Sequence, residues 1–207
     1  MTKSALIFDF GNVIARFDVM RAADHLGRHA GISGPELLER VQARGFMALA
    51  REYEHGRIPC ADFSAQVCAM VDLALPFEQF ADAWCDIFDL NEPVAQLAVQ
   101  LKDRGHRLIL GSNTNELHSA RFRKQFAHVL DRFDSLVLSH RVGAMKPDPQ
   151  FYQVCVQEAG LPPDQCVFID DLAENVDAAR GVGLHGIQYR DIDALRAELA
   201  SLGIKVD

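Results

Sequence analysis

Ala5-Leu6-Ile7-Phe8-Asp9-Phe10-Gly11-Asn12, close to the amino terminus, carries the strongest structural signal in the sequence. Its first four residues form a continuous apolar run, which is typical of a strand buried on both faces of a sheet. The Asp and the Gly that follow the run predict that the strand ends in a turn. The sequence therefore predicts a buried strand with a carboxylate at its end.

Four later segments share this pattern of a short apolar run bounded by Gly, Asp, Asn or Ser. These runs are Arg107–Leu110, Ser135–Leu138, Cys166–Ile169 and Gly186–Tyr189. Segments with helical apolar spacing lie between and after them: Pro93–Arg104, Phe151–Ala159, Val176–Ala179 and Asp191–Leu202. This alternation predicts an α/β fold with a doubly wound parallel sheet that has helices on both faces.

Residues 17–89 break the alternation, because the gap between the first two strands is too long for one crossover. Their apolar spacing is helical and is interrupted by Gly and Pro, so we expect a small insert of four helices. The sheet domain would then be discontinuous, with residues 1–16 and 90–207 forming the core and residues 17–89 a helical cap. The large aromatic side chains of this segment are expected to pack inside the cap: Phe17, Phe46, Phe63, Phe77, Phe80 and Trp84.

The composition narrows the classes of partner. The chain has 207 residues, of which 29 are acidic and 21 basic, and a formal net charge of −8, which argues against nucleic acid and anionic membranes. No apolar run reaches the roughly 18–20 residues of a membrane span, and no signal peptide is expected. Five cysteines, an odd number without a CxxC motif, predict reduced thiols and a cytoplasmic location. The sequence leaves the oligomeric state open.

Polar residues follow the predicted strands at the place where ligands bind in a doubly wound sheet, beyond the carboxyl ends. Three carboxylates brought together there repel one another, and a hard divalent cation such as Mg²⁺ offsets their charge. One carboxylate can then stay ionised and attack phosphorus, while a hydroxyl and an ammonium hold the phosphoryl oxygens. The residues in question are Asp9, Ser112, Asn113, Lys146, Asp170 and Asp171.

Taken together, these segments resemble the four motifs of the haloacid dehalogenase-like (HAD) superfamily, in the same order and over the whole chain. The matching segments are Ile7–Val13, Leu110–Asn115, Lys146–Pro149 and Phe168–Asp171. The insert after the first strand is similar to the helical cap of that family. The resemblance implies a Rossmann-like doubly wound parallel sheet core with an inserted helical cap.

The resemblance also implies a reaction: Mg²⁺-dependent hydrolysis of small phosphorylated metabolites through an aspartyl-phosphate formed on Asp9. A finer resemblance, which includes Tyr53-Glu54-His55-Gly56 in the cap, is to a branch that acts on sugar phosphates of the glucose 1-phosphate type. The implied site residues are Asp9, Ser112 and Lys146 for catalysis, Ser112, Asn113 and Lys146 for phosphate binding, and Asp9, the Gly11 carbonyl, Asp170 and Asp171 for the metal.

One position departs from the family pattern. Most phosphatases of the family have a second Asp two residues after the nucleophile, which acts as general acid and base, and this chain has Gly11 there. Such help contributes on the order of 10²–10⁴-fold to the rate. We therefore expect a slower enzyme, another proton source, or a relatively acidic leaving group such as the anomeric oxygen of a sugar 1-phosphate.

Several alternatives stay open at this point. The same carboxylate chemistry without a metal would make the protein a haloacid dehalogenase, although the pair Asp170-Asp171 favours a cation. Gly11 also permits a catalytically weak binding protein of the same fold. In the cap, Tyr53–Arg57 forms either the substrate side or a surface turn. Asn175 either orients the acid pair or faces solvent.

Overall fold

The computed structural model describes residues 4–206, which form seven strands and twelve α-helices. The strands are β1 (Ala5–Phe8), β2 (Ala15–Phe17), β3 (Phe88–Leu90), β4 (Arg107–Ser112), β5 (Ser135–Leu138), β6 (Cys166–Asp170) and β7 (His185–Gln188). The helices are α1 (Val19–Ala30), α2 (Gly34–Ala43), α3 (Phe46–Glu54), α4 (Cys60–Ala69), α5 (Phe77–Cys85), α6 (Glu92–Asp103), α7 (Glu116–Gln125), α8 (Ala127–Leu130), α9 (Ser139–Val142), α10 (Pro149–Ala159), α11 (Ala173–Gly181) and α12 (Ile192–Ser201). None of these helices has the length and apolar character needed to cross a membrane.

The main sheet has five parallel strands in the order β5-β4-β1-β6-β7, so β1 lies at its centre. Ile7 is in register with Ile109 of β4 on one side and with Phe168 of β6 on the other. All four residues of β1 are fully buried, as the unbroken apolar run predicts. Strand β1 therefore places the residue that follows it, Asp9, between the ends of β4 and β6.

Helices cover both faces of this sheet, because successive side chains of each strand point to opposite sides. On one face, Leu6 and Phe8 pack with Leu97 and other residues of α6. On the other face, Ile7 packs with Phe151 and other residues of α10. The predicted doubly wound α/β architecture is confirmed.

The insert differs from its prediction in the number of helices. It holds five helices, α1 to α5, where the sequence predicted four. Helices α3 and α5 have nine residues each, which is only two and a half turns and gives a weak periodic signal. Gly45, with φ 86°, and Pro76 directly precede these two helices, and such residues also mark loops in a sequence.

A short antiparallel ribbon of β2 and β3, absent from the prediction, joins the two chain crossings between sheet and insert. Ala15 is in register with Leu90, and Phe17 with Phe88. Strands of three residues are too short to show a period of two. The ribbon holds the entry and exit of the insert side by side next to the end of β1.

The insert has its own aromatic core. The rings of Tyr53 and Phe63 stack with their centroids 4.0 Å apart, and Trp84 lies 5.2 Å from Phe63 and 5.8 Å from Phe80. Two of the aromatic residues expected in this core are partly exposed instead. Phe17 is 43% and Phe77 37% exposed, because Phe17 belongs to the ribbon and Phe77 begins α5.

Candidate active site

Four candidate site residues meet at the carboxyl end of the sheet because of the strand order. Asp9 follows β1, Ser112 ends β4, and Asp170 ends β6. Lys146 lies in the loop between α9 and α10, and α10 begins directly after it with Asp148 as cap and Pro149 at the first helical position. All four side chains belong to buried residues. The predicted association of these segments is thus present in the structure.

The ammonium of Lys146 forms the electrostatic centre of the site. Its Nζ lies 2.7 Å from Oδ1 of Asp9 and 2.7 Å from Oδ2 of Asp170. Burial raises the pKa of Asp9 to about 7, while Lys146 lowers it in part and the carboxylate of Asp170 raises it again. Burial acts to lower the pKa of Lys146, but Asp9 and Asp170 outweigh it and hold that pKa above its usual value. The lysine therefore stays charged.

Three carboxylates, those of Asp9, Asp170 and Asp171, bring oxygen atoms within 4.8 Å of one another. One buried ammonium balances only one of them, so the cluster carries excess negative charge when all three are ionised. Oxygen ligands with this charge match the preference of Mg²⁺. The donor set therefore fits a divalent cation.

The two neighbouring acids at the end of β6 have different surroundings. Asp170 is fully buried, and its Oδ1 accepts hydrogen bonds from Leu172 N (2.9 Å) and from Asn175 Nδ2 (2.9 Å). Asp171 is half-buried, and its Oδ2 accepts one bond from Asn12 Nδ2 at 3.0 Å. Asp170 is thus held firmly, and Asp171 keeps more free acceptor capacity. Asn175 therefore orients Asp170 and does not face solvent, which decides between its two alternatives.

The phosphate-binding residues predicted from β4 differ in availability. The hydroxyl of Ser112 is buried, and its only hydrogen bond within the described residues is a long one of 3.4 Å to Asn113 O. Both ends of the Asn113 amide are engaged with the backbone of Lys146, at 2.9 and 2.8 Å. Ser112 is therefore free to bind a ligand, whereas the Asn113 amide fixes the lysine loop.

Two positioning residues were missed by the sequence analysis. Asn12, with a left-handed φ of 56°, turns the chain after β1 and reaches Asp171. Ser139, the first residue of α9, accepts a hydrogen bond from Thr114 N at 2.9 Å, and its hydroxyl lies 2.7 Å from Glu54 O. An Asn in a turn next to a strand gives a weak signal, but nothing in the sequence links Ser139 to residues so far away along the chain.

A cavity of about 1380 Å³ is lined both by residues at the carboxyl end of the sheet and by residues of the insert. The core contributes Gly11, Ser112 and Lys146 to its wall, and the insert contributes Tyr53, Glu54 and His55 among others. The end of α3 and the residue that follows it thus face the cavity, as one of the two alternatives for Tyr53–Arg57 expected. A Cβ on Gly56 would lie 2.1 Å from the carbonyl oxygen of His140, so the insert contacts the core closely there.

The chain is similar to known phosphatases along nearly their whole length, as two examples show. Phosphatase MT3486 of Mycobacterium tuberculosis is 27% identical, with 100% of this chain and 98% of that protein aligned. D-ribitol-5-phosphate phosphatase of Bacteroides thetaiotaomicron is 24% identical, over 94% of this chain and 95% of that protein.

Among solved structures, the HAD family enzyme bt-2542 from Bacteroides thetaiotaomicron matches with a TM-score of 0.81 and 22% identity, covering 92% of this chain and 95% of that one. A second structure of that enzyme, in complex with magnesium and inorganic phosphate, gives a TM-score of 0.78 at 22% identity, over 91% and 95% of the two chains. These likenesses show that the fold is shared.

The family itself follows from a profile match over most of the sequence. A model of the haloacid dehalogenase-like hydrolase family matches residues 3–183, which include all four polar strand ends and the insert. The chain belongs to the haloacid dehalogenase-like hydrolase family.

Proposed function

We propose that the protein is a Mg²⁺-dependent phosphatase that hydrolyses phosphate monoesters of small metabolites through a phosphorylated Asp9. The observation that carries this proposal is the buried Asp9 carboxylate, paired with Lys146 at 2.7 Å beside two further carboxylates. The relatives named as phosphatases, and the related structure that holds magnesium and phosphate, support it.

Asp9 attacks with the oxygen that no described protein group engages. Its Oδ1 accepts hydrogen bonds from Phe10 N and Lys146 Nζ, both at 2.7 Å, and its Oδ2 has no hydrogen-bond partner among residues 4–206. Attack of this oxygen on phosphorus forms an aspartyl-phosphate and breaks the bond to the leaving oxygen. Water then hydrolyses the acyl phosphate and regenerates Asp9.

The metal ligands we propose are Asp9, the Gly11 carbonyl and Asp171, with Asp170 beside them. A bound Mg²⁺ supplies positive charge that offsets the carboxylates and polarises the phosphoryl oxygens. Ser112 and Lys146 donate hydrogen bonds to those oxygens, and the backbone N–H of Asn113 is a further donor. Asp170 holds the Lys146 ammonium in place at 2.7 Å.

Residues 1–16 and 90–207 would form the catalytic core, and residues 17–89 the cap that covers the substrate. The support is that the buried apolar residues between Ala23 and Ala83 form a hydrophobic cluster of their own. Leu117 is the residue of the catalytic core that packs against this cluster. The cap would exclude water and recognise the leaving group. The resemblance to a sugar-phosphate branch stays a prediction, as does a cytoplasmic location, with which five free thiols are compatible.

The test is phosphate release from a panel of phosphate monoesters, including p-nitrophenyl phosphate, with Mg²⁺ and with EDTA. We expect turnover that EDTA abolishes and Mg²⁺ restores, and that Asp9→Asn eliminates. Turnover retained by Asp9→Asn would refute the mechanism. Metal-independent chloride release from 2-chloropropionate would identify a dehalogenase, and ligand affinity without phosphate release would identify a binding protein.

A further inference from the structure

The cap side of the cavity is mainly apolar. Its wall there includes Phe17, Val19, Leu38, Phe46, Met47 and Trp84. Polar cap side chains also contribute, and two of them, Glu54 and His55, come from the segment that contacts the core. The polar groups of Ser112 and Lys146 are at the sheet end of the same cavity. The cavity thus has a polar catalytic end and an apolar interior.

Three side chains of this wall carry a further signal, because they are large, apolar and exposed. Phe17 is 43%, Val19 53% and Met47 70% exposed. Single exposed apolar side chains are ordinary, but several around one cavity indicate a site that an apolar ligand covers. The volume of about 1380 Å³ also exceeds the range of roughly 300–1,000 Å³ that is usual for small-molecule sites.

From this lining we infer that the substrate is the phosphate monoester of a large, predominantly apolar alcohol, a conclusion that rests on the proposed phosphatase function. The phosphate would occupy the end near Asp9, and the hydrocarbon would lie against Phe17, Phe46 and Met47. A polyol phosphate would lose water from its hydroxyls and find few partners on such a wall, which is unfavourable. The lining of the cavity therefore favours an apolar alcohol over the sugar phosphate that the finer resemblance predicts.

The experiment compares butyl, hexyl and octyl phosphate with glucose 1-phosphate and p-nitrophenyl phosphate at saturating Mg²⁺. We expect kcat/KM to rise about fourfold for each added methylene that becomes buried. Met47→Asp should flatten this dependence on chain length. Leu202→Asp is the matched control, since Leu202 is 40% exposed and is not part of the wall, and it should keep the wild-type dependence.

A kcat/KM that does not change with chain length, or that is highest for glucose 1-phosphate, would overturn this substrate class while leaving the phosphatase intact. Flattening by Leu202→Asp as much as by Met47→Asp would also overturn it. Failure to release phosphate from every ester, p-nitrophenyl phosphate included, would instead refute the proposed function together with this inference.

A separate observation concerns the proton that Gly11 cannot supply. Glu54, at the end of α3, lines the same cavity as Ser112 and Lys146. Its backbone oxygen lies 2.7 Å from Ser139 Oγ, which also accepts a hydrogen bond from Thr114 N, two residues after Ser112. The backbone of Glu54 is therefore tied to the loop that carries the phosphate-binding hydroxyl.

The carboxyl group of Glu54 is poorly solvated and is not bound by another described protein group. Among residues 4–206 it has no hydrogen-bond or ion-pair partner, and burial raises its pKa above the usual value. A general acid needs a carboxyl group that holds its proton near neutral pH and faces the leaving group. Burial of the Glu54 carboxyl acts in the direction of the first requirement, and its place in the wall that it shares with Ser112 and Lys146 is the geometry on which the second rests.

The geometry points to Glu54 as the general acid of the proposed phosphatase reaction. As Asp9 attacks phosphorus, the bond from phosphorus to the ester oxygen breaks, and its electron pair stays on that oxygen. The oxygen takes the proton of Glu54 and leaves as the alcohol. The Glu54 carboxylate then accepts a proton from the water that attacks the aspartyl-phosphate, which restores both side chains.

The test uses Glu54→Gln with esters of different leaving groups. We expect a loss of about 10²-fold or more in kcat for octyl phosphate, whose alkoxide needs a proton, and little change for p-nitrophenyl phosphate, whose leaving group does not. Glu52→Gln is the control, because Glu52 is on the same helix and pairs with Arg57 at 2.8 Å. It should resemble the wild type on both esters.

A double variant tests the proposal even if Glu54→Gln also changes the stability or the substrate binding of the protein. Gly11→Asp in the Glu54→Gln background restores an acid at the family's usual position, where a Cβ meets only the ring of Phe17, at 3.1 Å. Recovery on octyl phosphate supports the role of Glu54. An equal loss on both esters, or no loss on octyl phosphate, overturns it, whereas wild-type protein inactive on both would refute the phosphatase function.

Discussion

Asp170 shows how a single residue is fixed in place beside a candidate metal site. Its two oxygens accept three hydrogen bonds, from Leu172 N, Asn175 Nδ2 and Lys146 Nζ. These bonds leave one acceptor site on Oδ2, since each carboxylate oxygen accepts about two. The carboxylate can therefore contact a metal in one direction only, or orient the water and lysine beside it.

We expect Asn175→Ala to weaken metal binding more than the chemical step. The side chain of Asn175 donates to Asp170 at 2.9 Å, and removal of such an orienting contact usually costs about 10–100-fold in metal affinity. The measurement is phosphate release as a function of Mg²⁺ concentration. Asp177→Ala, an exposed change on the same helix, should leave the Mg²⁺ dependence unchanged, and a similar shift in both variants would contradict this role.

A second residue, His118, links the core to the insert and should make stability depend on pH. Its ring stacks on Trp84 of α5 with centroids 5.2 Å apart. Its Nδ1 lies 3.1 Å from Asn115 Nδ2 and its Nε2 3.2 Å from Trp84 O, an arrangement that fits the neutral ring with the proton on Nε2. Burial lowers the pKa of His118 to about 4.

The folded protein therefore binds fewer protons at His118 than the unfolded chain does. This contribution to stability is complete above the usual histidine pKa of about 6.5, and it is lost as the pH falls towards the folded value of about 4. The loss amounts to at most about 3 kcal/mol. Urea unfolding between pH 7 and pH 4 should show a shallower decline for His118→Phe than for the wild type and the exposed-site control His128→Gln. An equal decline in the free energy of unfolding for all three proteins would contradict this role of His118.

At the scale of elements, the sequence predicted the strands and helices that carry a clear local pattern. The apolar run Ala5–Phe8 and the helical spacing around Val94 and Leu97 mark a strand and a helix that the structure contains. Three-residue strands β2 and β3 and the nine-residue helices α3 and α5 carry too little pattern. Their positions depend on tertiary contacts, such as the stacking of Tyr53 on Phe63.

The contact of the loop after α3 with α9 should be intolerant of any side chain at Gly56. Gly56 has φ 72°, and a Cβ there would lie 2.1 Å from His140 O, whereas a Cβ on Gly31, with φ 70°, would have no atom within 4 Å. Gly31→Ala thus measures the backbone cost alone, about 1–2 kcal/mol. Gly56→Ala should cost about 3 kcal/mol or more, because it adds overpacking, and should lower kcat/KM. Equal free energies of unfolding for the two variants would contradict this contact.

At the scale of the whole molecule, the sequence predicted which residues lie together at the end of the sheet but not what holds them there. Asp9, Ser112, Lys146 and Asp170 each follow a recognisable strand, and the parallel topology brings the strand ends together. The contact of Ser139 with Glu54 spans 85 positions of the chain, and no local pattern encodes such a pair. The cavity and its apolar wall arise likewise only when insert and core are assembled.

Excess negative charge at the sheet end should make the stability of the whole protein depend on Mg²⁺. A ligand that binds only the folded state stabilises it by about 2.7 kcal/mol at 100 times its Kd, which for a chain of 207 residues raises Tm by about 5–10 °C. Thermal unfolding in MgCl₂ should show this rise over NaCl of equal ionic strength. Asp171→Asn should remove most of this rise in Tm, because Asp171 makes the fewest hydrogen bonds of the three acids.

The control is Asp193→Asn, an exposed change on α12, which should keep the full rise in Tm. A rise that NaCl reproduces, or that Asp171→Asn retains in full, would show that the cation does not bind at this cluster.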